Sequence, residues 1–314
     1  MVPLLKIPVC LDRCDSYESH VLLPLLQAQL DFLAVPANLS GKKVLLKPNL
    51  ISAKAPALAC TNPFFVAAAA SCFLSRGARV LLGDSPAFGS AARVLERHGF
   101  VTALRGMPVE YVSFKTLARK QLACGLTVGV AAEALDCDYF VNLPRIKAHE
   151  QMGVTMAVKN VFGIVLGARK AWLHMRHGQS HLGFAEMILD LLQFLPTSLA
   201  LADGIEVMNE RGPMSGSALF LGCVAASGNF VALDRALLAV LEIEKKRSPL
   251  AVAAAKLALP GACLQDLEFP HLHPLAFAGS GFRSPVVLNP IKFHPLRYLR
   301  STWRRILLEL QRKV

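Results

Sequence analysis

The chain has 314 residues, 54% hydrophobic and only 18% charged, with a mean hydropathy of +0.43. That composition supplies a large buried core, excludes a disordered chain, and at this length calls for one large domain or two lobes. The net charge of +12 suits anionic partners, but aromatics are only 7% and no nucleic-acid-binding motif is present, so no nucleic acid is expected.

In chain order, strand and helix signals alternate, which predicts a doubly wound α/β fold on a largely parallel sheet. Lys43 to Lys47 reads as a buried strand ending at Pro48-Asn49. Pro63 opens a helix that stops at Gly77. Ala78 to Leu82 is the next strand and delivers Gly83-Asp84-Ser85-Pro86, and Ser90 caps a helix through Arg97. The pattern weakens near 100–125, where a lobe boundary is expected. Asp138 to Val141 forms a strand ending in Asn142-Leu143-Pro144, Leu199 to Leu201 another ending in Ala202-Asp203-Gly204, and Ala218 to Ala226 a further one before a helix around Asp234 to Leu241.

Membrane and export signals are weak. The most apolar stretch, Phe64 to Leu74, is too short for a bilayer, which takes about 20 residues, and Lys256 interrupts the Ala-rich run from Leu250 to Leu259. The N-terminal residues lack a basic region, a long apolar core and a cleavage site, so a cytoplasmic protein is expected. Cysteines stand at 10, 14, 60, 72, 124, 137, 223 and 263 without a metal-ligand or cluster spacing, which reads as reduced thiols.

Polar residues collect just after strands: Lys47 and Asn49, Asp84 and Ser85, Asn142, Asp203. In open α/β sheets the crevice beyond the strand carboxyl ends is where ligands bind, so a cleft is expected there. The segment from Asn142 to His174 adds Lys147, His149, Thr155, Lys159, Asn160 and Lys170 among small and apolar residues. Spacing places Thr155, Lys159 and Asn160 on neighbouring faces of one helical turn. A lysine between Val158 and Val161-Phe162 needs an anion or a lost proton, because burying a lone ammonium is costly. Three lysines with amide and imidazole donors suit phosphate or carboxylate. Read singly, each lysine is a surface residue and each aspartate a turn cap; Asp203 before Gly204 fits the turn especially well.

Histidines 174, 177 and 181 follow an i, i+3, i+7 pattern, which makes them the alternative metal set on a continuous helix, although Gly178 interrupts it. Asp84, Asp203 and Asp234 can balance the lysines, hold a divalent metal with a phosphate, or act as a base. The sequence has no nucleophile elbow, Walker loop, dinucleotide fingerprint or HExxH pair. From 291 to 314 the chain reads as a separate basic amphipathic helix. Leu296, Leu299, Trp303, Ile306 and Leu310 form its apolar stripe, and half of the net charge lies there, facing the body, a partner or a membrane surface.

The blocks VLLKPNL, GARVLLGDSP, VNLPRIKAH, TMAVKNVFG, the following K-x3-H of Lys170 and His174, and LADGIEVMNERGPMSG resemble, in order, those of the domain-of-unknown-function family 362. The resemblance implies an α/β domain within 1–290. It also implies that Lys47, Asn49, Asp84, Ser85, Asn142, Lys147, His149, Lys159, Asn160, Lys170, His174, Asp203 and Asp234 match the family's recurrent polar positions. It assigns no reaction. Many relatives carry a ferredoxin-like iron–sulfur module; its CxxCxxCxxxC run is missing from this chain.

The expected function is an enzyme acting on a small anion. Lys147, Lys159 and Lys170 hold the anion, His149 or His174 moves protons, and Asp84 or Asp203 orients a lysine or a metal. The rivals are a redox protein working with a ferredoxin-like partner, and a binding module without chemistry.

Overall fold

A computed structural model describes residues 6–166, 170, 173 and 180–291. The sheet strands, in chain order, are β1 Ile7–Pro8, β2 Cys10–Arg13, β3 Lys43–Pro48, β4 Arg79–Leu82, β5 Val109–Tyr111, β6 Leu117–Gln121, β7 Thr127–Ala131, β8 Tyr139–Leu143, β9 Arg145–His149, β10 Gly153–Thr155, β11 Ser198–Asn209, β12 Ser217–Ser227 and β13 Leu267–Glu268.

The parallel part runs β5-β4-β3-β8-β11, and β12 then β2 extend it antiparallel beyond β11. The fold is a mixed α/β one with a largely parallel central sheet, as the alternation of elements predicts.

Alternation along each strand sends neighbouring side chains to opposite faces. Leu45, Phe140, Ala200, Ala202 and Leu11 join one apolar cluster, while Val44, Leu46, Val141, Leu199 and Leu201 join the other. Both faces are therefore covered, which explains why the strands read as unbroken apolar runs. Helices Ser19–Phe32 and Pro63–Leu74 cover the second face; His181–Asp190, Phe230–Val240 and Pro249–Lys256 cover the first. The β6–β7 hairpin, which starts in the segment where a lobe boundary is expected and runs past it, sends Leu122, Val128 and Val130 into the first cluster.

One irregularity places the site. Pro144, which cannot donate to a ladder, separates β8 from β9, and both strands run along β11. On their other edge β3 pairs with β8 in parallel and β10 pairs with β9 antiparallel. The carboxyl ends of β3 and β10 thus approach each other across a break in the sheet. The short helix Ala157–Val161 starts immediately beyond β10.

Two expectations differ from this arrangement. Thr155 closes β10 instead of sharing a helical turn with Lys159 and Asn160. Asp203 lies inside the twelve-residue β11, paired with Val224, and is no turn cap. Cross-strand pairing with β12 carries the strand through Asp203-Gly204, overriding the local turn preference of that dipeptide.

Candidate functional site

The break in the sheet is filled by a hydrogen-bonded polar network. Lys47 and Asn142 are opposite each other in the β3–β8 register, so both side chains leave the same face. The Lys47 ammonium is fully buried and lies 2.8 Å from Asp84 Oδ1, and it also donates to Asn160 Oδ1 at 3.1 Å. Asp84 Oδ2 accepts the Leu50 amide at 2.9 Å, which ties the loop after β3 to the loop after β4. Asn160 Nδ2 donates to Asn142 Oδ1 at 2.7 Å, and Asn142 Nδ2 in turn donates to the Ala157 carbonyl at 2.8 Å. A Cβ on Gly163 would overlap both Asp84 Oδ1 and the Lys47 ammonium, so the backbone must be bare there.

Lys147 leaves the opposite face of β9 from Ile146 and Ala148, which belong to the first apolar cluster. Its ammonium donates to Asn49 Oδ1 and, at 2.6 Å, to the Ala59 carbonyl. Asn49 Nδ2 donates to Asn160 Oδ1 at 2.7 Å, so the network passes from one face to the other through the break. The hydroxyl of Thr155, the cross-strand partner of Lys147, is buried without a hydrogen-bond partner among the described residues.

Lys159 differs from its neighbours. Among the described residues its ammonium has no hydrogen bond or ion pair; it lies 4.6 Å from the centroid of Phe162 and 5.8 Å from that of Phe184. Two ring faces are worth about 0.5–2 kcal/mol each to a cation, whereas desolvating an unpaired ammonium costs several. Desolvation therefore dominates and presses the Lys159 pKa down to about 7, helped by repulsion from Lys147 and Lys47. Burial presses Lys147 to about 7 as well, with Arg145 and Lys47 adding to the effect and Asp84 opposing it. Lys47 is lowered by burial and raised by Asp84, the burial winning.

The remaining expected residues take varied places. Asp234 accepts the Ala157 and Val158 amides at 2.7 and 3.2 Å, capping the first turn of the short helix; burial raises its carboxyl to about 7 against those two bonds. Lys170 donates to the carbonyls of Ser85 and Gly163, so Ser85 meets it through its backbone. His149 Nδ1 accepts the Gln151 amide at 3.1 Å, and the ring shares a sheet face with Lys147 two residues before it. His181 starts the helix His181–Asp190 and meets the Asn289 carbonyl at 2.9 Å. His174 and His177, and with them the expected metal set, lie outside the described residues, as does the C-terminal segment from 292. No group of three or more potential metal-ligating side chains occurs among the described residues.

Asp203 belongs to a second buried cluster on the other face. Its carboxylate accepts Tyr17 Oη at 2.7 Å and the Asn62 amide at 2.9 Å and lies 3.6 Å from Arg145 Nε. Arg145 also donates to the Glu206 carbonyl at 2.6 and 2.8 Å. Neither Arg145 nor Tyr17 stands out in the sequence. Period-two alternation along RIK was the available signal for Arg145, because it puts Arg145 and Lys147 on one face.

The family model "Domain of unknown function (DUF362)" matches residues 44–239, which include every residue of the lysine network. The chain belongs to this family. A thylakoid-associated protein of Synechocystis sp. is 36% identical over 301 residues, spanning 94% of this chain and 93% of that protein. Two solved structures are similar at 12% identity. A Thermotoga maritima protein has a TM-score of 0.45, covering 69% of this chain and 58% of its own. The lactate racemase apoprotein of Thermoanaerobacterium thermosaccharolyticum has 0.44, covering 74% and 59%. The chain thus spans less than two thirds of either solved protein. Among the described residues of this DUF362 protein, no helix is long and apolar enough to cross a membrane.

Proposed function

We propose that this DUF362 protein is a cytoplasmic enzyme that binds a small phosphate- or carboxylate-bearing molecule where β3 and β10 meet. Lys147 holds the anion and Lys159 exchanges protons with it. One observation carries the reading: a lysine cluster in which Asp84 already neutralises Lys47, while Lys147 has only neutral acceptors and Lys159 has none among the described residues. An anion arriving there would restore the ammonium form of both uncompensated lysines. Binding would therefore take up protons near neutral pH, and affinity would fall as pH rises above about 7.

Thermal unfolding with phosphate, sulfate and simple carboxylates tests this, because a ligand that binds only the native state must raise Tm. Tm should rise at pH 6.5 and much less at pH 8.5, and Lys159→Met should abolish the response while keeping the fold. A panel in which no anion shifts Tm rejects the reading.

A second reading concerns location. The basic segment 291–314, with seven basic residues against Glu309 between 292 and 314, suits an anionic lipid surface, and the cyanobacterial relative is named for its association with thylakoids. The full chain should co-sediment with phosphatidylglycerol vesicles at low salt, and a chain ending at residue 290 should stay in the supernatant. Equal sedimentation of both would remove the segment from any such role.

A further inference from the structure

Three lysines, on β3, β9 and the helix beyond β10, are close enough to influence one another electrostatically, and their nitrogens are not equivalent. Lys47 is held by Asp84 and Asn160, and Lys147 points its protons at Asn49 Oδ1 and the Ala59 carbonyl. Only the Lys159 nitrogen has no polar acceptor among the described residues; it rests against two phenyl rings. The other charges acting on it are the cations of Lys147 and Lys47. A half-buried, ring-lined setting beside other cations favours the neutral amine, whose lone pair is then unoccupied by any bond. This is how a lysine becomes a nucleophile toward carbonyl carbon at neutral pH.

We infer that Lys159 is a covalent catalytic residue that forms a Schiff base with a small 2-oxo carboxylate, Lys147 binding the carboxylate next to the reacting carbonyl. The inference rests on the anion-binding reading above and narrows its ligand to one chemical class. In the step, the Lys159 amine adds to the keto carbon and the C=O π bond becomes a hydroxyl, giving a carbinolamine. The hydroxyl then leaves as water with the second amine proton, and a C=N bond forms. No oxidant or reductant is needed, and one further proton from solvent gives the iminium. The iminium is an electron sink for loss of a proton from the carbon on the side away from the carboxylate.

The test uses the full chain with pyruvate and sodium cyanoborohydride near neutral pH, followed by intact mass and peptide mapping. One reduced adduct per chain should form, located at Lys159 and at least about tenfold above that at exposed Lys42, whose hydrogen bond to Asp138 raises its pKa and keeps it protonated there. Mapping on the unmodified chain locates the adduct even if Lys159→Met fails to fold. The labelling rate of Lys159 should rise through a midpoint near pH 7, whereas that of Lys42, its pKa raised by Asp138, should keep climbing well above it. No adduct, or one spread evenly over exposed lysines, overturns the inference. If pyruvate and phosphate still raise Tm without an adduct, only the covalent step falls. If nothing raises Tm and nothing is trapped, both readings fall together.

Discussion

At the scale of the residue, the site is governed by how each ammonium is compensated. Lys47 and Lys147 have acceptors; Lys159 has only rings among the described residues, and burial settles its charge state. Because its folded pKa is depressed from 10.5 to about 7, the folded chain binds fewer protons than the unfolded one between those values. Stability from this group is therefore lowest below pH 7 and is regained as pH rises toward 10. Lys159→Met should raise Tm at pH 6.5 and flatten the rise in stability between pH 7 and pH 9, as read by urea unfolding. A steeper rise in the variant would contradict the burial argument.

At the scale of the element, the helix Ala157–Val161 is too short to persist alone and depends on what holds its first turn. Asp234 provides that hold from the helix Phe230–Val240. Its carboxyl pKa is raised from 3.8 to about 7, so the folded chain keeps a proton that the unfolded one loses between those values. Stability from Asp234 is greatest at low pH and declines as pH climbs from about 4 to 7, opposite to the lysine effect. Asp234→Ala should cost about 1–2 kcal/mol through the lost cap and should remove the pH 4–7 decline. Chemical unfolding at pH 5 and pH 7.5 measures both. A helical turn at Lys159 and Asn160 was legible in the sequence, although Thr155, expected on the same turn, ends β10; their capping partner 74 residues beyond Asn160 was not legible, because nothing local records that contact.

At the scale of the molecule, a sheet covered on both faces carries one buried ion pair on each side of the same break: Lys47–Asp84 on one, Arg145–Asp203 on the other. Removing one member of such a pair leaves a buried charge uncompensated and costs about 3–5 kcal/mol. Arg145→Met should therefore lower stability by that order while preserving the anion-induced rise in Tm, whereas Lys47→Met should impair both. Denaturation with and without phosphate distinguishes them; loss of the phosphate response in Arg145→Met would join the two clusters into one site.

The sequence by itself determined the alternation of elements, because apolar runs and proline–glycine punctuation are local. It also placed Lys47, Asp84 and Asn142 at strand ends, since each follows directly on an apolar strand. Its block order carried the family. It did not determine that Thr155 ends a strand, that Asp203 lies inside one, or that Arg145 and Tyr17 take Asp203 away from the lysines. Those depend on pairing between strands distant along the chain, and on Pro144 breaking β8 from β9 so that a chain of amide and ammonium hydrogen bonds can cross the sheet. Which lysine is left without a counter-charge is decided by that three-dimensional pairing alone.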